Sequence, residues 1–353
     1  MRPFFSVIVP THSRPRQLVA CLEALALLDY PSERFEVIVV DDGSDSPPQE
    51  IVARFRPPLN VNLIAQAQAG PATARNTGAA QAQGQFLAFV DDDCRPAPDW
   101  LRSLAAHLTV QPERMIGGRA LNALPENLYS TASQLLIDYL YAYYNAENHS
   151  ARFVASNNLA LSAELFLKIG GFDSSFPFAA GEDRELCERW LAQDGQITYA
   201  PEAIIYHAHP LTFRSFWRQH FNYGRGAFRF RAGRARRSRK RMRFESQAFY
   251  WNLITYPLRQ AEQTLPHRVL AVGNARNARA DAGFEQVFGR SVRQAGRQSA
   301  QIFMLGLLLI SQLANALGFI LEANGTMESG SRVKSELKSF GSTDGADGTE
   351  RIR

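Results

Sequence analysis

The sequence predicts an α/β fold built on a mainly parallel sheet covered by helices. Three observations predict it: short continuous apolar runs, stretches of helical spacing between them, and polar clusters where the runs stop. Phe5-Ser6-Val7-Ile8-Val9 is the first strand, ended by Pro10. Leu18, Val19, Leu22, Leu25 and Ala26 then recur on one helical face behind Ser13, the expected N-cap. Glu36 to Val40 repeats the strand signal and stops at the turn-forming Asp41-Asp42-Gly43-Ser44. Val61 to Ala65 and Gln85 to Val90 are two more strands, with an alanine-rich helix from Ala72 to Gln83 between them and another helix starting near Pro98. Leu186, Cys187, Trp190 and Leu191 share one face of a later helix whose N-terminus carries Glu182 and Asp183. After Ala200-Pro201, the run from Glu202 to Pro210 reads as a strand that puts His207 and His209 on the same side.

With 353 residues, 45% of them hydrophobic, the chain holds one large domain with an appendage and is not disordered as a whole. Cys21, Cys94 and Cys187 are far apart and form no CxxC, which excludes a disulfide framework or zinc knuckle and suits a reducing, cytoplasmic compartment. MRPFFSVIVP is too short an apolar run for a signal peptide and reads as a buried strand. The net charge of +5 is unevenly spread: Arg225 to Arg243 holds ten Lys or Arg and no acid. A composition boundary near residue 224 therefore separates a domain at 1–224 from a basic, helical extension at 225–325, and a Gly, Ser, Thr and charge-rich stretch at 326–353 is expected to be a disordered tail. Gln298 to Leu321 contains 24 uncharged residues, and at about 1.5 Å per residue it has the length to cross a bilayer. Ser311, Gln312 and Asn315 argue equally for a helix packed on the domain or lying in the interface, with the basic residues facing anionic lipid on the cytoplasmic leaflet.

In an open α/β sheet ligands bind at the carboxyl ends of strands, so the three strand-end clusters Pro10 to Arg14, Asp41 to Ser44 and Asp91-Asp92-Asp93 are candidate site residues. Three adjacent carboxylates repel one another unless a cation neutralises them, and Mg²⁺ or Mn²⁺ with oxygen ligands and substrate phosphates fits.

The fragments SVIVPTHSRP, VIVVDDGS, GPATARNTGAA, FVDDDC and SNNLALSAELFLKIGGFDSSFPFAAGEDRELCERW, in this order, resemble the family 2 glycosyltransferases over roughly residues 4 to 224. The resemblance implies the GT-A nucleotide-diphospho-sugar transferase fold, with a membrane-associating helical extension added here. It also implies inverting transfer of a hexosyl group from a nucleotide-diphospho-sugar donor to a glycan or glycolipid acceptor. Carried over residue by residue, Asp42 with its neighbour Asp41 contacts the base, and Pro10, Thr11 and Arg14 flank the same pocket. Gly70 gives close backbone passage and Arg75 is aimed at the ribose or diphosphate. FVDDDC resembles the DXD motif, which makes Asp91 and Asp93 the outer pair, with the metal bound chiefly by Asp93, and puts Asp91 and Asp92 against the nucleotide-sugar, Asp92 at the ribose as the alternative to the metal. The ED motif assigns Asp183 as the base with Glu182 beside it, and a histidine at this interval, His207 or alternatively His209, completes the metal site. Processive members carry a QxxRW motif, whereas the comparable RQHFNYGRG here lacks the RW ending, so single-sugar transfer is expected. The rival readings are a nucleic-acid-binding protein using the 225–243 run, a nicotinamide-dependent dehydrogenase, disfavoured because no GxGxxG follows the first strand, and a catalytically silent scaffold of the same fold.

Overall fold

The computed structural model describes residues 2–146, 150–260 and 301–326. The expected tail beyond Thr326 and the start of the apolar stretch at Gln298 lie outside the described residues. The strands are β1 (Phe5–Thr11), β2 (Phe35–Asp42), β3 (Val61–Gln66), β4 (Phe86–Val90), β5 (Cys94–Pro96), β6 (Met115–Asn122), β7 (Asn158–Ser162) and β8 (Ile197–His207). The helices are α1 (Pro15–Ala26), α2 (Gln49–Ala53), α3 (Pro71–Ala80), α4 (Trp100–Val110), α5 (Leu128–Tyr144), α6 (Ala163–Lys168), α7 (Glu182–Ala192), α8 (Phe213–Ser238), α9 (Gln247–Gln260) and α10 (Gln301–Thr326).

The described strands form one sheet in the order β3-β2-β1-β4-β7-β6-β8-β5. β3, β2, β1 and β4 are parallel, β7 opposes both β4 and β6, β8 is parallel to β6, and β5 opposes β8. Successive residues of a strand point to opposite faces, and here both faces are covered, which is why the strands read as unbroken apolar runs. Val7, Val9, Val37 and Val39 pack with Leu18 and Leu22 of α1 and Trp100 and Leu104 of α4. Ile8, Leu87 and Phe89 pack on the other side with Phe166, Phe172, Leu186 and Trp190.

Several boundaries differ from the sequence expectation. Arg14, not Ser13, occupies the N-cap of α1, because Pro15 fixes the first helical turn. Ser13 is instead left-handed at φ 53 and turns its N–H to Ser44 Oγ at 2.7 Å. α3 starts at Pro71 behind Gly70, whose φ of 91 favours glycine, and stops at Ala80. The helix expected near Pro98 begins at Trp100, after the short strand β5. β8 begins earlier than expected, at Ile197, and ends at His207, so His209 lies just past the strand.

The composition boundary near residue 224 falls inside α8, which runs on to Ser238 behind a capping box of Thr212 and Ser215. Several arginines of the basic run are held by acids of its neighbours. Arg234 pairs with Glu188 at 3.1 Å, Arg237 with Glu185 at 2.8 Å and Arg225 with Glu322 at 2.6 Å, and Arg229 also reaches Glu322. α8 also meets α10 at unusually close range. A Cβ on Gly224 would lie 1.8 Å from the Asn315 carbonyl oxygen, and one on Gly318 would lie 1.9 Å from that of Phe221. α10 buries Met304, Leu307, Leu308, Ser311 and Ala314 and leaves Ile302, Leu309, Leu313, Leu317 and Ile320 exposed.

Candidate active site

Strand direction decides what meets. β1, β2 and β4 end on one edge of the sheet, and the chain reverses its lateral progress between β1 and β4, the crevice where α/β sheets hold ligands. At that point Thr11 of β1 donates its hydroxyl hydrogen bond to Asp92 at 2.7 Å. Because β8 runs the same way as β4, its C-terminal end arrives on the same edge. β5 then fastens it there, with Cys94 opposite His207 and the Ala208 N–H donating to the Asp93 carbonyl at 2.8 Å.

The first half of the site is therefore centred on Asp93. Its carboxylate meets His207 Nε2 at 3.2 Å, His209 Nδ1 at 3.1 Å and Arg14 at 3.2 Å. Burial alone would raise the Asp93 pKa, but the His207 charge and the hydrogen bonds from His207 and His209 outweigh it and hold the carboxyl well below its ordinary value. His207 and His209 stack at 5.2 Å, so both, not one, stand against Asp93. Gln219 Oε1 lies 3.1 Å from the far nitrogen of His209. Asp92, next to Arg14 and Thr11, is pushed up to about 7 by burial. Cys94 brings its sulfur near Asp93 and His207, a neighbour the sequence reading did not single out. Burial, with the Asp93 charge behind it, keeps that thiol well above its usual pKa.

The second half is the start of α7. Glu182 is buried and pushed up to about 7, first by burial and then by the adjacent Asp183 charge. Asp183 is raised by burial as well, and its Oδ1 accepts from the Arg184 N–H at 2.7 Å. Arg75 of α3, 1% exposed, joins the two halves: it donates to Asp91 at 2.6 Å and to Glu182 at 3.1 Å. Arg75 thus lies in the wall of the cleft with its guanidinium already engaged by two carboxylates. Asn76, absent from the sequence reading although it adjoins Arg75, grips the Phe172 backbone through both its amide atoms, at 2.8 and 2.9 Å, and so fixes the loop that leads to Glu182.

Around the end of β2 the acids are already engaged. Asp41 accepts from both the N–H and the hydroxyl of Ser44. Asp42 accepts from Gln66 Nε2, the Ala69 N–H and the Gly70 N–H, each at 2.8 Å, so it holds the turn before α3. Gly70 is needed at that turn, since a Cβ there would stand 3.2 Å from the Pro177 carbonyl oxygen. Pro10, part-buried at the penultimate position of β1, borders the same edge.

Arg14, Arg75, Asp91, Asp93, Glu182, Asp183, His207 and His209 line one cleft of about 860 Å³, within the range that encloses a sizeable organic ligand. That cleft also takes in Arg184, Gln219, Tyr223 and Arg231, residues of α7 and α8 that carry no motif legible in sequence.

The family model described as glycosyl transferase family 2 matches residues 6–170, and the one described as the N-terminal domain of galactosyltransferase matches 139–210. Among curated relatives, the glycosyltransferase AglE of Haloferax volcanii is 29% identical over 231 residues, covering 64% of this chain and 73% of that protein. Validoxylamine A glucosyltransferase of Streptomyces hygroscopicus subsp. limoneus is also 29% identical, over 57% of this chain, which spans only about half of it (51%). A mannosyltransferase of Pyrobaculum calidifontis, solved with GDP-Man and Mn²⁺, superposes with a TM-score of 0.57 at 18% identity, covering 89% of this chain and 87% of that one, and so shares its fold. With the family models following the order of the motifs and the fold shared, residues 6–170 match the family 2 glycosyltransferases and the chain has the GT-A fold.

Proposed function

We propose that this glycosyltransferase is metal-dependent and inverting, and that it moves one hexosyl group from a nucleotide-diphospho-sugar to a hydroxyl of a lipid-linked saccharide or polysaccharide precursor. The carrying observation is the Arg75 bridge, which sets Asp91 and Glu182 on either side of one guanidinium within one cleft. Mn²⁺ or Mg²⁺ suits the donors present. Two ligands at right angles around such an ion lie about 3.0 Å apart, and the 3.2 Å between Asp93 and His207 Nε2 is close to that. Asp93 and His207, with Asp91 beside them and His209 as the alternative imidazole, would hold the ion; the soft sulfur of Cys94 is the poorest match in the group for such a hard cation. When bound, the ion neutralises the diphosphate as it leaves.

The remaining work falls to side chains. Pro10, Thr11, Arg14, Asp41 and Asp42 wall the nucleotide end, Asp42 by holding the turn that places Gly70. Asp92, held behind the cleft wall by Thr11 and Arg14, would act on the ribose through Arg14. Asp183 takes the proton of the acceptor hydroxyl as its oxygen attacks the anomeric carbon, the bond to the diphosphate breaks with its electron pair, and the configuration inverts. A carboxyl raised by burial is a stronger base than an exposed one, which suits Asp183 to that step. Glu182 and Arg75 keep it oriented.

The exposed apolar face of α10 supports attachment to a membrane, and the cytoplasmic face is our reading of the side. The reading is tested by screening UDP-, GDP- and dTDP-sugars for Mn²⁺-dependent thermal stabilisation, followed by transfer assays on Asp183→Asn. One donor should raise the melting temperature only with the metal, and Asp183→Asn should keep that shift while losing transfer at least a hundredfold. A variant that still transfers sugar removes the catalytic assignment.

A further inference from the structure

The cleft continues past Asp183 between α5, α8, α9 and α10. Leu136, Phe249 and Leu253 are buried along it, and Phe244, Phe319 and Ile320 border its opening. Two guanidiniums face this apolar half. Arg184 donates to Tyr144 Oη at 2.7 Å and lies 5.0 Å from the Tyr144 ring centre and 5.1 Å from that of Phe230. Arg231 donates to the Ala227 carbonyl and lies over Phe244 at 5.5 Å and Phe319 at 5.9 Å.

Neither forms an ion pair among the described residues, whereas Arg225, Arg229, Arg234 and Arg237 of the same helix each do. Two acids face them: Asp183, whose charge Arg184 partly offsets, and Glu245, which accepts the Tyr144 hydroxyl at 2.6 Å and is reached by that of Tyr143 at 3.5 Å. Burial and then the like charge of Arg184 lower the Arg231 pKa. An anion between them would relieve both costs. The apolar wall continues at Ile320 into the exposed ridge of Leu317, Leu313 and Leu309 on α10.

We propose that the acceptor is a phosphate-bearing amphiphile: Arg184 and Arg231 take its phosphate as an anchor, and its tail runs between Phe249, Leu253, Phe319 and Ile320 toward the outer face of α10. The hydroxyl that reacts belongs to the group carried by that phosphate, beside Asp183. The role as acceptor rests on the sugar-transfer reading; the binding site itself does not.

The test is calorimetric titration of the full chain with dodecyl phosphate, dodecyl maltoside and inorganic phosphate, each below micellar concentrations, with nucleotide and Mn²⁺ binding followed in parallel. Dodecyl phosphate should bind at least tenfold more tightly than the other two. Arg231→Gln should remove that advantage, and Ile320→Glu, at a position 54% exposed and so tolerant of the change, should weaken binding by repelling the anion. Equal binding of the maltoside would mean an unspecific apolar face, and equal binding of inorganic phosphate would mean a site without a tail groove; either overturns the proposal. So does no binding at all, which would leave the groove to residues 261–300 of this chain or to a second copy. Failure to bind any nucleotide would instead remove the transferase reading, and the dodecyl phosphate titration would still decide this one.

Discussion

At the scale of single residues, Arg75 carries more than its exposure suggests. It is the counter-charge for Asp91 and Glu182 together, and it is buried. Removing one member of a buried ionic group leaves the others uncompensated, at a cost of about 3–5 kcal/mol. Arg75→Met should therefore lose roughly that much stability in urea denaturation, and Arg75→Lys should recover only part of it, because an ammonium lacks the planar fork that serves two carboxylates. Wild-type stability in Arg75→Met would show the bridge to be dispensable. Glu182 gives a pH signature. Its folded pKa of about 7 exceeds the ordinary 4.5 because of burial and then Asp183, so the folded protein keeps a proton that the unfolded chain releases. Stability should consequently fall as pH rises from about 4.5 to about 7. Asp183 and Asp92, also raised by burial, add in the same direction. Glu182→Gln should make that slope shallower, without abolishing it, in denaturation curves taken across the window, and an unchanged slope would assign the proton to the other two.

At the scale of elements, α8 is pressed between the loop that leads to Glu182 and α10. A Cβ on Gly226 would stand 2.0 Å from the Ala180 carbonyl oxygen, one residue before the left-handed Gly181 that opens α7. Gly226→Ala should displace that loop and lower kcat at least tenfold, with donor binding unchanged because Asp93 and Asp42 lie on other elements. Gly224→Ala meets α10 instead, and should cost about 1–3 kcal/mol of stability with a smaller effect on kcat. Equal kcat in Gly226→Ala and wild type would show that the loop does not depend on this contact. The same elements show what was legible in sequence. β1, β2 and β4 could be read because unbroken apolar runs stop at polar clusters, which also gave the strand-end acids. β6 was missed because Gly117 and Gly118 interrupt its run; both are glycine because Val154 and the Ala203 carbonyl approach to where a Cβ would be, 2.0 and 2.2 Å. That His209 joins His207 on Asp93 depends on the β5 to β8 register, and a three-residue strand leaves no periodicity to read. Asp42 was assigned to a nucleotide base from its motif, but its three hydrogen bonds to the Gln66–Gly70 turn exist only once β3 and α3 are in place.

At the scale of the whole molecule, charge and apolar surface have to be reconciled with where the enzyme works. The ten cations between Arg225 and Arg243 suggest a nucleic-acid or lipid patch, but Arg225, Arg229, Arg234 and Arg237 are paired with acids within the fold and Arg231 faces the cleft. What remains for a partner is Arg236, Arg239, Lys240, Arg241 and Arg243, near the end of α8 and just past it. α10 is the one described helix long and apolar enough to cross a membrane, yet it packs one side on α5 and α8 and exposes the other, which suits a helix lying in the interface better than one crossing it. Each cation near an anionic surface contributes about 1 kcal/mol, and that contribution is screened within a Debye length. Vesicle co-sedimentation should therefore separate two contributions. Arg239→Gln, Lys240→Gln and Arg241→Gln combined should abolish most of the preference for anionic over neutral vesicles and the sensitivity to salt. Leu309→Lys with Leu313→Lys should weaken binding to neutral vesicles, where only the apolar face can act. Retention of nucleic acid but not of vesicles by the wild-type chain, lost in the triple variant, would assign the same cations to the rival partner and leave the face of α10 for contact with protein.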